Sequence, residues 1–314
     1  MKQKLLLEML SSTILELRAN GQWGTAHVYR SARNSFFAFN NKDIPFCKLN
    51  SNLLKRFEIY LRQRRCSWNT VSTYMKVLRA VYNRAVDNGY ALYIPRLFRH
   101  VHTSVCADQR RALEVSDIGN LLCETEKASS CGSLSIELQT TKNIFALMFL
   151  LRGIPFVDLA YLRKADIQGN TLRYRRRKTG RLLTVMLTPD AMKLIRIVAK
   201  TKPESPYLFP FLSSPDGTEA AYHEYQSSLR MFNYRLSRLK KYMKTAAHLS
   251  SYTIRHTWAT MAYYCEIHPG IISEAMGHSS IKVTETYLKP FQNEKIDNAN
   301  SQVISYVKEY ASIV

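Results

Sequence analysis

Three residues near the C-terminal end set the chemical question: Arg255, His278 and Tyr287, in the stretches SYTIRHTWAT and AMGHSSIKVTETYLK. An arginine, a histidine and a late tyrosine are a poor set for hydrolysing a peptide or moving a hydride. They suit the attack of a phenol on a phosphodiester. A free phenol has a pKa of about 10 and is a weak nucleophile at neutral pH. The phosphodiester repels it, and the pentacoordinate transition state spreads negative charge over the non-bridging oxygens. Guanidinium groups answer both problems, because they stay charged and bind phosphate oxygens through a planar fork. The departing oxygen needs a proton, which a lysine or histidine can supply.

Taken singly, each residue has an ordinary alternative. A lone tyrosine is more often a core or interface residue, and a lone histidine more often a satisfied hydrogen bonder. The ordered set carries more weight. Arg255 opens an amphipathic helix with Trp258, Met261 and Ala262 on its packing side, and Gly277-His278-Ser279-Ser280-Ile281 reads as a junction between two helices. No phosphate-binding glycine-rich lysine loop and no triad of acidic metal ligands is legible. The expectation is chemistry independent of ATP and magnesium, with no cofactor and no metal.

The elements that must position these residues are mostly helical. The N-terminal MKQKLLLEMLSSTILELRANG is interrupted by Glu8 and Glu16, and fits an amphipathic helix better than a signal peptide. Val71, Tyr74, Leu78, Val81, Tyr82 and Ala85 recur at helical spacing between Trp68 and Asn88, with Asn69 or Ser67 able to cap the start and Gly89 after the end. Lys76, Arg79 and Arg84 decorate this helix, and Arg62, Arg64 and Arg65 crowd a turn beside Trp68. Residues 96–111 lack an apolar period and read as an exposed basic linker between a helical domain, 1–95, and a second domain, 112–314. In the second domain, Thr171 to Leu187 reads as two strands around a Lys178-Thr179-Gly180 turn. Six of the eleven residues from Thr171 to Arg181 are basic, Arg175 and Arg177 among them. A basic helix follows at 226–244, and the tail repeats apolar residues at helical spacing from about 299 to 312.

Composition points to a polyanion as partner. Of 314 residues, 45 are Lys or Arg and 24 Asp or Glu, a formal charge of +21. Residues 1–110 hold +12 of it and the remainder +9, so both halves are basic. Such binding falls steeply with salt as counterions are released. The longest apolar run, Ile144 to Leu151, is far shorter than the ~20 residues of a membrane span. Six scattered cysteines without a CxxC pair read as reduced, structural thiols of a cytoplasmic protein.

The pattern R-H-[ST]-x-A-[ST], followed by G-H-S-[ST]-x-x-x-T-x-x-Y, resembles the catalytic domain of the tyrosine recombinases, the phage-integrase family. The resemblance runs along nearly the whole chain. It implies a mainly α, two-domain C-shaped DNA clamp: a helical, SAM-like core-binding domain plus a mixed α/β catalytic domain with a small β-hairpin. It also implies a 3′-phosphotyrosyl intermediate and strand exchange through a Holliday junction in a tetramer on DNA.

By position, Tyr287 matches the nucleophile, Arg255 the second phosphate-clamping arginine and His278 the histidine that hydrogen-bonds the scissile phosphate. Lys178 matches the lysine proposed as general acid, and His256 buttresses the site. Two positions depart from the pattern. Tyr252 replaces the usual His or Lys three residues before the second arginine. Pro155 stands where G-[LI]-R-x-x-E places the first arginine, and Arg152, about one helical turn earlier, is the expected substitute. FLLRGIPFVDLAYLRKADI resembles a bacterial branch of transposon integrases and promoter-switching invertases. Arg64, Arg65, Lys76, Arg79, Arg175 and Arg177 are candidates for DNA contact.

The implied partners are duplex DNA carrying specific repeat sites, further copies of the chain, and possible accessory DNA-bending proteins in the bacterial nucleoid. The tail helix docks either on its own domain or on a neighbouring protomer. Two other readings remain: a non-catalytic DNA-binding regulator on a decayed recombinase fold, and a type IB topoisomerase.

Overall fold

The computed structural model describes residues 4–311 apart from 105–111, 124–133, 200, 202, 244, 246, 289, 290 and 292. Part of the 96–111 linker, Cys106, Cys131, Lys244 and the last residues of the tail lie outside it. The chain divides into two compact units, Met1–Ala107 with Pro215–Tyr222, and Asp108–Ser214 with His223–Val314.

The first unit is built on four helices: α1 (Leu6–Ala19), α2 (Trp23–Asn40), α3 (Ser51–Gln63) and α4 (Trp68–Asp87). Each turns an apolar stripe inward. Leu6, Leu10, Phe36, Leu54, Phe57, Leu61, Met75, Leu78 and Val81 form one core, with Phe36 and Phe57 edge to face at 5.1 Å. Caps fix where two helices begin. Asn50 Oδ1 accepts from Leu53 N (2.9 Å) and Ser67 Oγ from Thr70 N (3.2 Å), so the cap of α4 is Ser67 rather than Asn69.

The exposed linker expected from residue 96 is not what the first residues of that segment form. Leu97, Phe98 and Val101 are buried in this same core. Their spacing follows a turn rather than a helix or strand, so no period announced them.

The second unit contains α5 (Val115–Cys123), α6 (Ile136–Leu150), α7 (Phe156–Ala160), a sheet, α8 (Pro189–Val198), all but the first turn of α9 (Glu219–Met243), α10 (Thr253–Tyr264), α11 (Pro269–Ala275), α12 (Ile281–Glu285) and α13 (Asn293–Ala311). The apolar run in α6 is a core helix, with Phe145, Ala146, Leu147 and Met148 all buried. The sheet is antiparallel in the order β1 (Ile167–Gln168), β2 (Thr171–Arg175), β3 (Leu182–Met186). Leu172 pairs with Val185 and Tyr174 with Leu183. Those four side chains point into the core, while Arg173, Arg175 and Thr184 point outward. The hairpin expected here is present, and β1 adds a third strand too short to show a period.

Helix α13 begins at Asn293, earlier than its apolar stripe showed, and Val303, Ile304 and Val307 are exposed. Among the described cysteines, Cys47 and Cys265 are exposed thiols rather than structural ones. No described helix is long and apolar enough to cross a membrane.

Candidate active site

Arg255 lies in the first turn of α10 and is only 2% exposed. Its Nη1 donates to the carbonyl of Gly153 (2.8 Å), and its Nη2 to the carbonyl of Met276 (2.8 Å). Nη2 also lies 2.8 Å from Nε2 of His278. A guanidinium has only donors, so Nε2 of His278 is the acceptor and the imidazole proton sits on Nδ1. That proton points at Thr284 Oγ1, 2.9 Å away. Burial, then the charges of Arg255, Arg176 and Lys178, hold the His278 pKa down to about 3. The Arg255 guanidinium is itself shifted down by burial and by Arg176, with the Tyr287 phenol working in the opposite direction.

Two glycines make this packing possible. Gly153 has φ +65°, and a Cβ there would stand 3.0 Å from Arg255 Cα and 3.2 Å from Trp258 Cβ. Only glycine lets the turn between α6 and α7 approach α10 closely enough for its carbonyl to hold Arg255. Gly277 has φ +64°, and a Cβ there would meet Arg176 Cγ at 2.8 Å and Leu183 Cδ1 at 3.1 Å.

Tyr287 follows the short helix α12. Its ring stacks against two imidazoles, His256 at 4.4 Å and His278 at 5.0 Å between centroids. The guanidinium carbon of Arg255 is 5.6 Å from the ring centroid. The backbone locks the residue at both ends: Tyr287 N donates to Thr284 O (2.8 Å), and Tyr287 O accepts from Thr260 Oγ1 (3.2 Å). Arg255, His256, His278 and Tyr287 therefore converge on one place.

The β2–β3 turn leans on the same place. Thr179 Oγ1 donates to Gly277 O (3.1 Å), and Arg181 Nη1 donates to His278 O. Lys178 is exposed at the tip of this turn, and its charge is felt at His278. Tyr252, just before α10, is half exposed; partial burial and the neighbouring Tyr287 phenol push its own phenol up.

Arg152 does not occupy a helical turn ahead of Pro155, as its spacing implied. Helix α6 has ended, and Arg152 (φ 60°) and Gly153 are both left-handed. Its Nη1 donates to Thr184 O of β3 (3.2 Å). Pro155 caps α7 as a proline that starts a helix.

Sequence reasoning passed over Arg176, Asp158 and Tyr174. The inward phase Leu172–Tyr174 continues to Arg176, which is 5% exposed and donates through Nη1 to Asp158 Oδ2 (2.8 Å). Asp158 Oδ1 accepts from Arg177 N (2.9 Å), and burial raises this carboxyl despite the arginine beside it. Tyr174, fully inside, has its phenol driven well above its usual range by burial and by Asp158.

The candidate DNA contacts are spread over both units. Arg64 packs on Tyr60, Arg65 sits in a left-handed turn after α3, and Lys76 and Arg79 lie on α4. Arg175 and Arg177 are exposed beside the hairpin, Arg177 with its guanidinium 3.7 Å over the ring of Tyr161. Among the described residues, no group of three or more His, Cys, Asp or Glu is placed to hold a metal ion.

Residues 5–96 match the model of the phage integrase SAM-like domain, and residues 117–294 match that of the phage integrase family. A tyrosine recombinase, XerA of Saccharolobus solfataricus, is 24% identical over 269 residues, covering 84% of this chain and 81% of that protein. Two solved structures share the fold. The Tn1549 transposon integrase in complex with transposon right-end DNA is 12% identical with a TM-score of 0.67, covering 96% of this chain and 100% of that one. A lambda integrase tetramer bound to a Holliday junction is 14% identical with a TM-score of 0.63, covering 92% and 78%.

Proposed function

Since the chain belongs to the phage integrase family, and so to the DNA strand-transferring tyrosine recombinases, we propose that it is a site-specific recombinase whose nucleophile is Tyr287. The observation that carries this reading is the stacking of Tyr287 on His256 and His278 beside Arg255. A phenol held there can attack a phosphorus whose non-bridging oxygens face the guanidinium.

In this reading Tyr287 Oη forms a bond to the phosphorus, and the bond to the 5′-oxygen breaks. His278 stays neutral, its Nε2 accepting from Arg255 Nη2 and so aiming that guanidinium at the phosphate oxygens, while the phenolic proton passes to solvent water. Lys178 gives the 5′-oxygen its proton, and His256 fixes the ring of Tyr287. Tyr252 adds a hydroxyl donor. The phosphotyrosyl link conserves the energy of the broken bond, so rejoining a 5′-hydroxyl needs no cofactor.

The basic residues Arg64, Arg65, Lys76, Arg79, Arg175 and Arg177 hold the phosphates of duplex DNA at repeat sites. Strand exchange proceeds through a Holliday junction in a tetramer. The exposed stripe Val303, Ile304 and Val307 on α13 docks on a second copy, as an apolar face of that kind requires. Inversion, integration or excision then follows from how two sites are placed.

The missing arginine at Pro155 favours one other reading, a DNA-binding regulator that no longer cuts. The deciding experiment is covalent capture in cells. Wild type and Tyr287→Phe are expressed, the cells are denatured, and the DNA that stays attached to protein is sequenced. Adducts at defined repeats that vanish in the variant are the expected result. Occupancy of DNA without adducts in the wild type would move the regulator to the front.

A further inference from the structure

The reaction proposed for this site asks for more fixed positive charge than Arg255 alone provides, and Pro155 cannot supply it. The obvious substitute, Arg152, is aimed at the carbonyl of Thr184. A different arginine, Arg176, lies under Gly277.

Arg176 continues the inward phase of β2 past its last paired residue. Its backbone closes the hairpin, accepting from Gly180 N (2.8 Å) and donating to Arg181 O (2.8 Å). Its aliphatic stem runs beneath Gly277, close enough that a Cβ there would meet it at 2.8 Å. The stem therefore lies directly under the residue that precedes His278. Its Nη1 is tethered by Asp158, the residue that stands at the acidic position of G-I-P-F-V-D.

Its Nε, in contrast, is buried with no hydrogen-bond partner among the described residues. A buried donor on a charged group without a partner costs free energy, so a fold keeps one where a ligand completes it. The charge of Arg176 also holds down both Arg255 and His278.

We propose that Arg176 joins Arg255 as the other arginine of the phosphate site, delivered by the β2–β3 hairpin in place of the first arginine missing at Pro155, and that its Nε donates to a non-bridging oxygen of the scissile phosphate. Asp158 orients the guanidinium by holding Nη1. This assignment rests on the recombinase reading above. The ordinary competitor is a buried ion pair that only holds the hairpin to α7.

The test uses a nicked duplex built on a site recovered by covalent capture, made once with the normal scissile phosphate and once with a neutral methylphosphonate. Adduct formation is timed for the wild type, Arg176→Gln, Arg176→Lys, Arg152→Gln and the charge-balanced pair Asp158→Asn with Arg176→Gln. Thermal melting follows the fold of each. Arg176→Gln should slow cleavage of the normal phosphate by about 100-fold, the usual loss for a transition-state donor. Arg152→Gln should slow it far less.

On the methylphosphonate the deficit of Arg176→Gln relative to wild type should largely disappear, because the charge that needs neutralising is gone. The charge-balanced pair should behave the same way, which protects the result if the single variant folds poorly. An equal deficit on both substrates, or none on either, would overturn the assignment and leave Arg176 as a structural ion pair. If the wild type forms no adduct on any DNA, the recombinase reading itself fails and this one falls with it.

Discussion

Nη2 of Arg255 and Nε2 of His278 are 2.8 Å apart, and because arginine can only donate, this one contact decides that His278 is neutral with its proton on Nδ1. Acidification attacks that arrangement. The folded pKa of about 3 lies below the ~6.5 of an unfolded histidine, so between those values the unfolded chain takes up a proton that the folded one refuses. The contribution of His278 is complete above about pH 6.5 and drains away as pH falls towards about 3. Denaturant titrations at stepped pH should show wild type losing stability faster than His278→Gln across this window. Parallel curves would refute the neutral assignment.

Gly277→Ala should unsettle the site through the backbone and the stem of Arg176. The new methyl meets the stem of Arg176 at 2.8 Å, at a φ of +64° that alanine adopts with strain. A loss of about 1–3 kcal/mol is expected from the backbone alone. Chemical denaturation measures it, and adduct formation should fall in step, because His278 and Arg176 are displaced together.

The pair Asp158–Arg176 is predicted to be costly to break and cheap to remove. Burial raises the Asp158 carboxyl even beside its partner, so the attraction does not repay desolvation in full. Asp158→Asn strands a buried guanidinium and should cost about 3–5 kcal/mol. Replacing both, Asp158→Leu with Arg176→Met, should recover most of that stability while leaving cleavage crippled. Unfolding free energies of the two variants, compared with the wild type, check the first half, and adduct yields the second.

Binding to arbitrary duplex DNA should be dominated by phosphate contacts, given a net charge of +21 shared by both halves. If six to ten phosphates are neutralised, affinity should drop by about 10³–10⁵ between ~50 and ~200 mM salt. Fluorescence anisotropy over that range supplies the slope. A flat response would argue that the excess charge serves something other than a polyanion.

Much of this architecture was legible because it follows a period. Helix α4 declared itself through Val71, Leu78, Val81 and Ala85, all buried as spaced. The β2–β3 hairpin declared itself through the stretch from Thr171 to Leu187 around its Lys178-Thr179-Gly180 turn. The convergence of Arg255, His278 and Tyr287 was legible only through the order of their motifs, since no local pattern brings α10 to α12.

What stayed hidden depended on contacts between distant parts of the chain. Arg176 sits in a run of basic residues that reads as solvated surface, and only carrying the strand alternation one step further would have turned it inward. The left-handed path at Arg152 follows from the close approach of Gly153 to Arg255, 102 residues away. The first turns of α13, in NEKIDNANS, carry no apolar stripe and so gave no sign of a helix.

Thr284 grips two partners at once. Its hydroxyl receives the Nδ1 proton of His278, and its carbonyl receives the backbone N–H of Tyr287. The nucleophile and the imidazole are thus geared to one pin. Any rearrangement that carries Tyr287 away by shifting Thr284 also takes from His278 the acceptor of its Nδ1 proton. Such a copy would lose its attacking group and one of the two anchors of its imidazole in a single motion.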